Sequence, residues 1–281
     1  MRGRLIWLAA ALAAAGCGGK NRAESPAASA APRVICAAPA VAEIVFALDC
    51  GDRVVGVSEF TDWPPEAAQK SQIGGALVPN RERILALEPS LILAQGRAEV
   101  LAEFSKQQGI GFLALPLDTV PDVYAAIAGF ARALGAEERG RELQGRLDAE
   151  FAAIATCEPV PVFIALGHAP GDFSGLMTAG PETFLSQIVG IAGGGNIFFN
   201  LKELWPKISR ETLIRRQPEI ILDLQAAPVG EARRAALVAD WEQLGFQAGQ
   251  VRILEEDFLL KPGPRMAQAT ARIAAAICGE K

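Results

Sequence analysis

Few side chains in this chain are suited to chemistry. There is one histidine, His168, and one tyrosine, Tyr124, in 281 residues. A zinc site built from two or three imidazoles is therefore excluded, as is a heme clamped between two histidines. No glycine-rich phosphate loop, zinc-protease helix or nucleophile elbow occurs. The five cysteines, Cys17, Cys36, Cys50, Cys157 and Cys278, stand singly. A two-lobe metalloenzyme would need several thiolates gathered at its lobe interface, which this scatter does not offer. The expectation is a protein that binds rather than catalyses, with no resident metal and no cofactor.

Two glutamates have matched surroundings. Glu82 begins Glu82-Arg83-Ile84-Leu85-Ala86-Leu87-Glu88-Pro89, and Glu211 begins Glu211-Thr212-Leu213-Ile214-Arg215-Arg216-Gln217-Pro218. Each proline stops a helix and precedes an apolar run. Asn80 and Ser209 are N-cap types just upstream. Each glutamate is thus expected in a first helical turn, at the surface. The helix dipole alone favours an acid there, but the repeated spacing marks the two as a pair with a docking role. Separately, several loops carry aromatic or charged groups. Phe60 and Trp63 lie in Ser58-Glu59-Phe60-Thr61-Asp62-Trp63-Pro64-Pro65; His168 and Met177 lie in residues 167–178; Trp205 precedes Pro206; Asp257, Phe258 and Lys261 precede Pro262-Gly263-Pro264-Arg265.

The elements that must position these groups alternate. Short β-branched runs at 34–37, 54–57, 91–94 and 111–115, then 160–166, 220–224 and 251–254, are interleaved with helical stretches. This pattern predicts α/β lobes with mostly parallel sheets. Between the two sets, Leu143, Leu147, Phe151 and Ile154 recur at helical spacing, which predicts one long helix. The expected architecture is two Rossmann-like lobes, residues 33–136 and 158–281, bridged by a backbone helix over 137–157. Ligands of such sheets sit beyond the strand carboxyl ends. The aromatic loops follow those ends, and Ala40 follows the first strand, so a large, partly apolar, planar ligand is expected between the lobes.

The chain opens with Arg2 and Arg4 and an apolar run of about a dozen residues, too short to span a bilayer as a mature helix. Residues 1–16 are read as a signal segment. Ala14-Ala15-Gly16-Cys17 resembles a bacterial lipoprotein cleavage site, which implies lipid on Cys17; an ordinary secretory signal is the alternative. Residues 17–32, rich in Ala, Ser, Gly and Pro, read as a flexible tether. An exported chain meets an oxidising compartment. Of the three pairings open to the other four cysteines, Cys157–Cys278 within the second lobe is favoured, with Cys36–Cys50 local to the first; buried free thiols are the alternative. With 27 basic and 32 acidic side chains, a nucleic-acid partner held by a basic patch is not expected.

Several motifs together resemble one family. These are Arg33-Val34-Ile35-Cys36-Ala37-Ala38-Pro39-Ala40-Val41-Ala42-Glu43-Ile44, Asp52-Arg53-Val54-Val55-Gly56-Val57, Thr178-Ala179-Gly180-Pro181, Ala192-Gly193-Gly194-Gly195-Asn196-Ile197-Phe198 and Pro262-Gly263-Pro264-Arg265. They resemble the periplasmic binding proteins for cobalamin, ferric siderophores and heme, over roughly residues 33–278. Trp205-Pro206-Lys207-Ile208-Ser209-Arg210-Glu211 is most similar to the cobalamin-binding branch. The resemblance implies two lobes on a rigid helix, a ligand between them, and delivery to the permease and ATPase subunits of an ABC importer. It implies a monomer, held by its lipid in the periplasm or at the outer face of the cytoplasmic membrane. Glu82 and Glu211 match two surface glutamates that dock on permease arginines. Phe60 matches a ring, usually Tyr, against the corrin; Trp205 matches a pocket Trp; Met177 falls near an aromatic position; Asp257 and Phe258 match an acidic–aromatic pair beside the ligand. Ala76 and Gln95 stand where the cobalamin binder has tryptophans, and Ala192 replaces a cysteine. The implied ligand is cobalamin or another corrinoid, with a ferric siderophore or heme as the alternative. His168 is placed within reach of cobalt or iron, or else as a hydrogen-bond donor. Lys261 and Arg265 are placed to meet ligand carboxylates, Arg265 alternatively anchoring the last helix.

Overall fold

Apolar β-branched runs buried on both faces build two parallel sheets. The computed structural model describes residues 31–279 except Ala76. The signal segment, Cys17 and the tether up to residue 30 lie outside the described residues. In the first lobe β1 (Val34–Cys36), β2 (Val54–Val57), β3 (Ser71–Gln72), β4 (Leu91–Gln95) and β5 (Gly111–Leu115) lie in the order β3-β2-β1-β4-β5. All pairings are parallel, with Val34 opposite Val54 and Leu91, and Gln95 opposite Leu115. The connections are α1 (Pro39–Ala47), α2 (Pro65–Ala68), α3 (Arg81–Ala86) and α4 (Glu99–Gln108), and α5 (Val120–Ala133) follows β5. In the second lobe β6 (Val160–Leu166), β7 (Gly194–Asn196), β8 (Ile220–Leu224) and β9 (Val251–Leu254) lie in the parallel order β7-β6-β8-β9. Here α7 (Phe184–Ile191), α8 (Arg210–Arg216) and α9 (Glu231–Gln243) make the connections, and α10 (Met266–Cys278) ends the described chain. The expected fold class, two α/β lobes with parallel sheets, is the one found.

Between the sheets runs α6 (Glu137–Ala152), with Leu143 and Leu147 buried. The sequence pattern predicts helix to residue 157; the helix stops at Ala152, and the amide of Ala153 closes the last turn on Ala149 and Glu150. The released segment carries Cys157 to Cys278, and the two form a disulfide with Cα atoms 5.6 Å apart, an ordinary span for such a bridge. The expected Cys36–Cys50 disulfide is not formed: both are buried free thiols. Cys36 ends β1, whereas Cys50 precedes the turn that starts β2, and the parallel register Val34–Val54 puts them at opposite ends of the sheet. The Cys50 thiol donates to the Leu48 carbonyl at 3.4 Å, and burial pushes the Cys36 thiol pKa well up.

The sequence pattern does not predict β3 and β7. β3 is two exposed polar residues, and β7 begins Gly194-Gly195, so neither has strand composition. Gly194 is required by crowding: a Cβ there would lie 2.6 Å from Val189 Cγ1. One apolar cluster runs unbroken from Val34, Ile44 and Phe130 in the first lobe through Leu143 and Leu147 of α6 to Val162, Ile188 and Ile273 in the second. The lobes therefore share a core. Among the described residues no helix is long and apolar enough to cross a membrane.

Candidate functional site

In each sheet the strand order reverses direction once, between β1 and β4 and between β6 and β8. Ligands of open parallel sheets bind outside the carboxyl ends at such switch points. A cavity of about 600 Å³ lies there, between the lobes. The first lobe contributes Gln95 at the end of β4, and Leu117 and Asp118 after β5. The second contributes Leu166 to Ala169 after β6, Met177, Phe184 and Leu185, Trp205, Leu224 to Ala226 after β8, Arg233, Leu260 and Pro262. The lining is mostly aliphatic and aromatic, with few polar groups, as suits a large planar guest. A hollow of about 740 Å³ between the end of α6 and α10 is larger, but it is lined by small and polar residues, many of them alanine, and lacks an aromatic ring.

Met177 and Trp205 are held by backbone pairing. Met177 exchanges hydrogen bonds with Leu166 at 2.9 Å, and the amides of Thr178 and Gly180 donate to Pro206 at 3.0 Å and Leu204 at 2.8 Å. Residue 180 must be glycine, because a Cβ there would collide with the Glu203 carbonyl. Trp205 stays 41% exposed in this position, leaving a ring face for a ligand.

His168 stands in the loop after β6, at the edge of the cavity, as the sequence suggests. Its ring is fully buried, so only its main chain is left to face the cavity. Nδ1 is 2.7 Å from Asp223 Oδ2 and Nε2 is 3.2 Å from Asp240 Oδ2. Asp223 also accepts from Trp241 Nε1 at 2.8 Å and Gln225 Nε2 at 2.7 Å, and Asp240 accepts from the Gly171 amide at 2.7 Å. The imidazole stacks on Phe173 at 4.7 Å. It fastens the loop after β6 to α9, and the residue borders the cavity with its ring nitrogens turned to the two carboxylates.

Lys261, Asp257 and Phe258 are likewise engaged inside the protein. Arg265 Nη2 lies 2.6 Å from Glu43 Oε1 on α1 and 2.8 Å from Asp257 Oδ2. Its guanidinium sits 4.9 Å from the Trp63 ring centroid and 5.4 Å from that of Phe258. Lys261 Nζ joins Asp62 at 2.5 Å and Asp257 at 3.0 Å. These contacts clasp one lobe to the other beside the cavity. Burial pushes the Glu43 carboxyl up, and Arg265 only partly offsets this. Burial also acts to raise Asp257, but the hydrogen bonds from Arg265 and Lys261 outweigh it and hold its pKa at about 2. Lys261, Asp257, Phe258 and Trp63, expected as ligand contacts, take part in this clasp and stand beside the cavity rather than in its lining. Ala40 is buried in α1, without a face on the cavity. Phe60 is 79% exposed with φ +63°, outside the cavity lining.

Glu82 and Glu211 are exposed in the first turns of α3 and α8. Asn80 accepts from the Arg83 amide at 3.0 Å and Ser209 from the Thr212 amide at 3.2 Å, so both helices carry side-chain caps. The Glu211 carboxyl is held below the usual range by its own amide and the Ser209 hydroxyl. Sequence reasoning passed over Leu117, Asp118, Phe184, Gln225 and Arg233. For Gln225 and Asp118 the signal was present, since Gln225 directly follows β8 and Asp118 stands three residues past β5.

Residues 34–239 match the family model described as periplasmic binding protein. This chain belongs to that family. The binding protein is 36% identical over 259 residues to the vitamin B12-binding protein of Pectobacterium atrosepticum, with 86% of each chain covered. The structure of the periplasmic vitamin B12-binding protein of Vibrio cholerae superposes with a TM-score of 0.68 at 25% identity, covering 87% of this chain and 96% of that one. An apo periplasmic heme-binding protein of Roseiflexus superposes with a TM-score of 0.71 at 25% identity, covering 88% and 97%.

Proposed function

We propose that this binding protein captures cobalamin or a related corrinoid outside the cytoplasmic membrane and delivers it to an ABC importer, doing no chemistry on it. The relatives named for vitamin B12 support the ligand class. The observation that carries the choice within the family concerns axial ligands. Heme iron is commonly held by a protein histidine, thiolate, methionine or tyrosine. The chain has one histidine and one tyrosine. His168 has both ring nitrogens on carboxylates. Tyr124 donates to Asp148 at 2.7 Å, joining α5 to α6. Met177 does line the cavity, but methionine holds heme iron as one half of a Met/His pair, and the one histidine is engaged elsewhere. A cobalamin brings its own nitrogenous lower ligand and asks only for ring-face contact, which Trp205 and Met177 supply. Glu82 and Glu211 serve as the docking pair for permease arginines, one per lobe, with the ATPase subunits beyond. A lipid on Cys17 tethers a monomer to the membrane surface. A second reading, heme or a ferric siderophore, draws on the likeness to the Roseiflexus protein.

Titrating the purified protein with cyanocobalamin, hemin and a ferric catecholate, followed by absorbance and calorimetry, tests the choice. Saturable one-to-one binding of cyanocobalamin is expected. Binding of hemin alone, with a shifted Soret band, transfers the assignment to heme; no binding of any of the three overturns it.

A further inference from the structure

Among the described residues, the cavity has one basic side chain that no hydrogen bond or ion pair engages. Around it, Lys261 is held by Asp62 and Asp257, Arg265 by Glu43 and Asp257, and Arg234 by Glu255. Arg233 is different. It lies in the first turn of α9 and lines the cavity beside Trp205 and Gln225. It is exposed, and among the described residues it makes no ion pair. The amide nitrogen of Gln225 is already given to Asp223 and the His168 carbonyl, so the guanidinium is the strongest free donor on that wall. A ligand filling the cavity would cover this charge, and covering an uncompensated charge is costly unless the ligand brings an opposite one. The planar fork of arginine fits two oxygens of one anionic group, and the positive end of the 13-residue α9 adds to its field.

We propose that Arg233 is a specificity-determining residue of the cleft, pairing with an anionic oxygen group on the periphery of the bound ring. The inference rests on reading the cleft as the ligand site. In a cobalamin the group is the phosphodiester of the nucleotide loop; in a heme it is a propionate carboxylate. The guanidinium sets which ring derivatives are accepted, while the apolar walls hold the ring itself.

The test compares wild type with Arg233→Gln on two ligand pairs by calorimetry. Cyanocobalamin is set against dicyanocobinamide, which lacks the nucleotide loop and its phosphodiester, and hemin against its dimethyl ester. Expected is a loss of about tenfold in affinity for cyanocobalamin, the size of one charge-assisted pair, and a much smaller change for cobinamide. Added salt should weaken cyanocobalamin binding to wild type more than to the variant. If hemin is the ligand taken, the same contrast falls between hemin and its ester. Equal losses on both members of a pair, or none on either, overturn the role of Arg233. Asp118→Asn separates a cross-cleft pairing: if it reproduces equal losses on both ligands, the guanidinium serves Asp118 and the proposal is wrong. Failure of wild type to bind any of the four ligands instead overturns the reading of the cleft. Unchanged far-UV circular dichroism and melting of Arg233→Gln show that a lost affinity is not a lost fold.

Discussion

Removing Arg265 tests the clasp between the lobes, and Arg265→Met is the informative change because it keeps an apolar stem between Trp63 and Phe258. The Glu43 side chain is 3% exposed, so without the guanidinium it is left as a buried, unpaired carboxylate. Such a group takes up a proton rather than remain charged. The cost of holding it protonated is set by the distance between ambient pH and the ordinary glutamate pKa. At pH 7 that distance is about 2.7 pH units at 1.36 kcal/mol each, or about 3.7 kcal/mol; at pH 5 it is about 1 kcal/mol. Losing the cation–π contacts adds about 0.5–1 kcal/mol each at either pH. The sign follows from the direction of the shift: a raised carboxyl favours the neutral form, so the variant regains stability as pH falls. Urea unfolding of wild type and variant at both pH values measures the difference. A loss of the same size at pH 5 and pH 7 refutes the argument. So does failure of the double change Glu43→Gln with Arg265→Met to remove the pH dependence.

Replacing Cys157 and Cys278 by serine opens a link across 121 residues of sequence and should cost about 2–5 kcal/mol in urea unfolding; an unchanged midpoint would show the bridge to be dispensable. Trp205→Ala should weaken corrinoid affinity ten- to hundredfold, from about 1.5–3 kcal/mol of lost ring burial, with the fold intact by circular dichroism. Glu82→Ala with Glu211→Ala should abolish importer-dependent uptake while calorimetric affinity for the ligand stays at the wild-type value; undiminished uptake would remove these residues from docking. His168→Gln breaks the contacts to Asp223 and Asp240 and should destabilise by about 3–5 kcal/mol. The visible spectrum of bound cobalamin should not change; a shifted cobalt band would mean that the imidazole reaches the metal after all.

The parts of the fold that were legible in the sequence are those in which local pattern and burial agree. The strands at 54–57, 160–166, 220–224 and 251–254 are largely buried apolar runs, and they and the more exposed edge strand 111–115 appear at those bounds. β3 and β7 were illegible because edge pairing and close packing, rather than composition, make them strands. The end of α6 at Ala152 was missed because helical spacing continues to Ile154 while the chain must already turn toward Cys278. In the site, Met177 and Trp205 stood out as unusual types in loops, whereas Arg233 and Gln225 looked like ordinary polar surface. The partners of His168 lie 55 and 72 residues away, so no local pattern could distinguish a buried imidazole from a ligand. The acidic residues that engage Lys261 and Arg265 include Asp62 and Glu43 from the other lobe, again beyond any local signal. Cys36 and Cys50 are near in sequence, but parallel crossover geometry keeps them apart.

The apolar mass shared by Val34, Leu143 and Val162 has a mechanical consequence for how cargo departs. Two halves fused through one interior cannot swing wide like a hinged jaw without exposing that interior to water. The free protein therefore retains its guest by surface affinity rather than by shutting a door. On the proposed delivery to an importer, release falls to a partner that pries the two halves apart, because so stiff a frame does not open by itself.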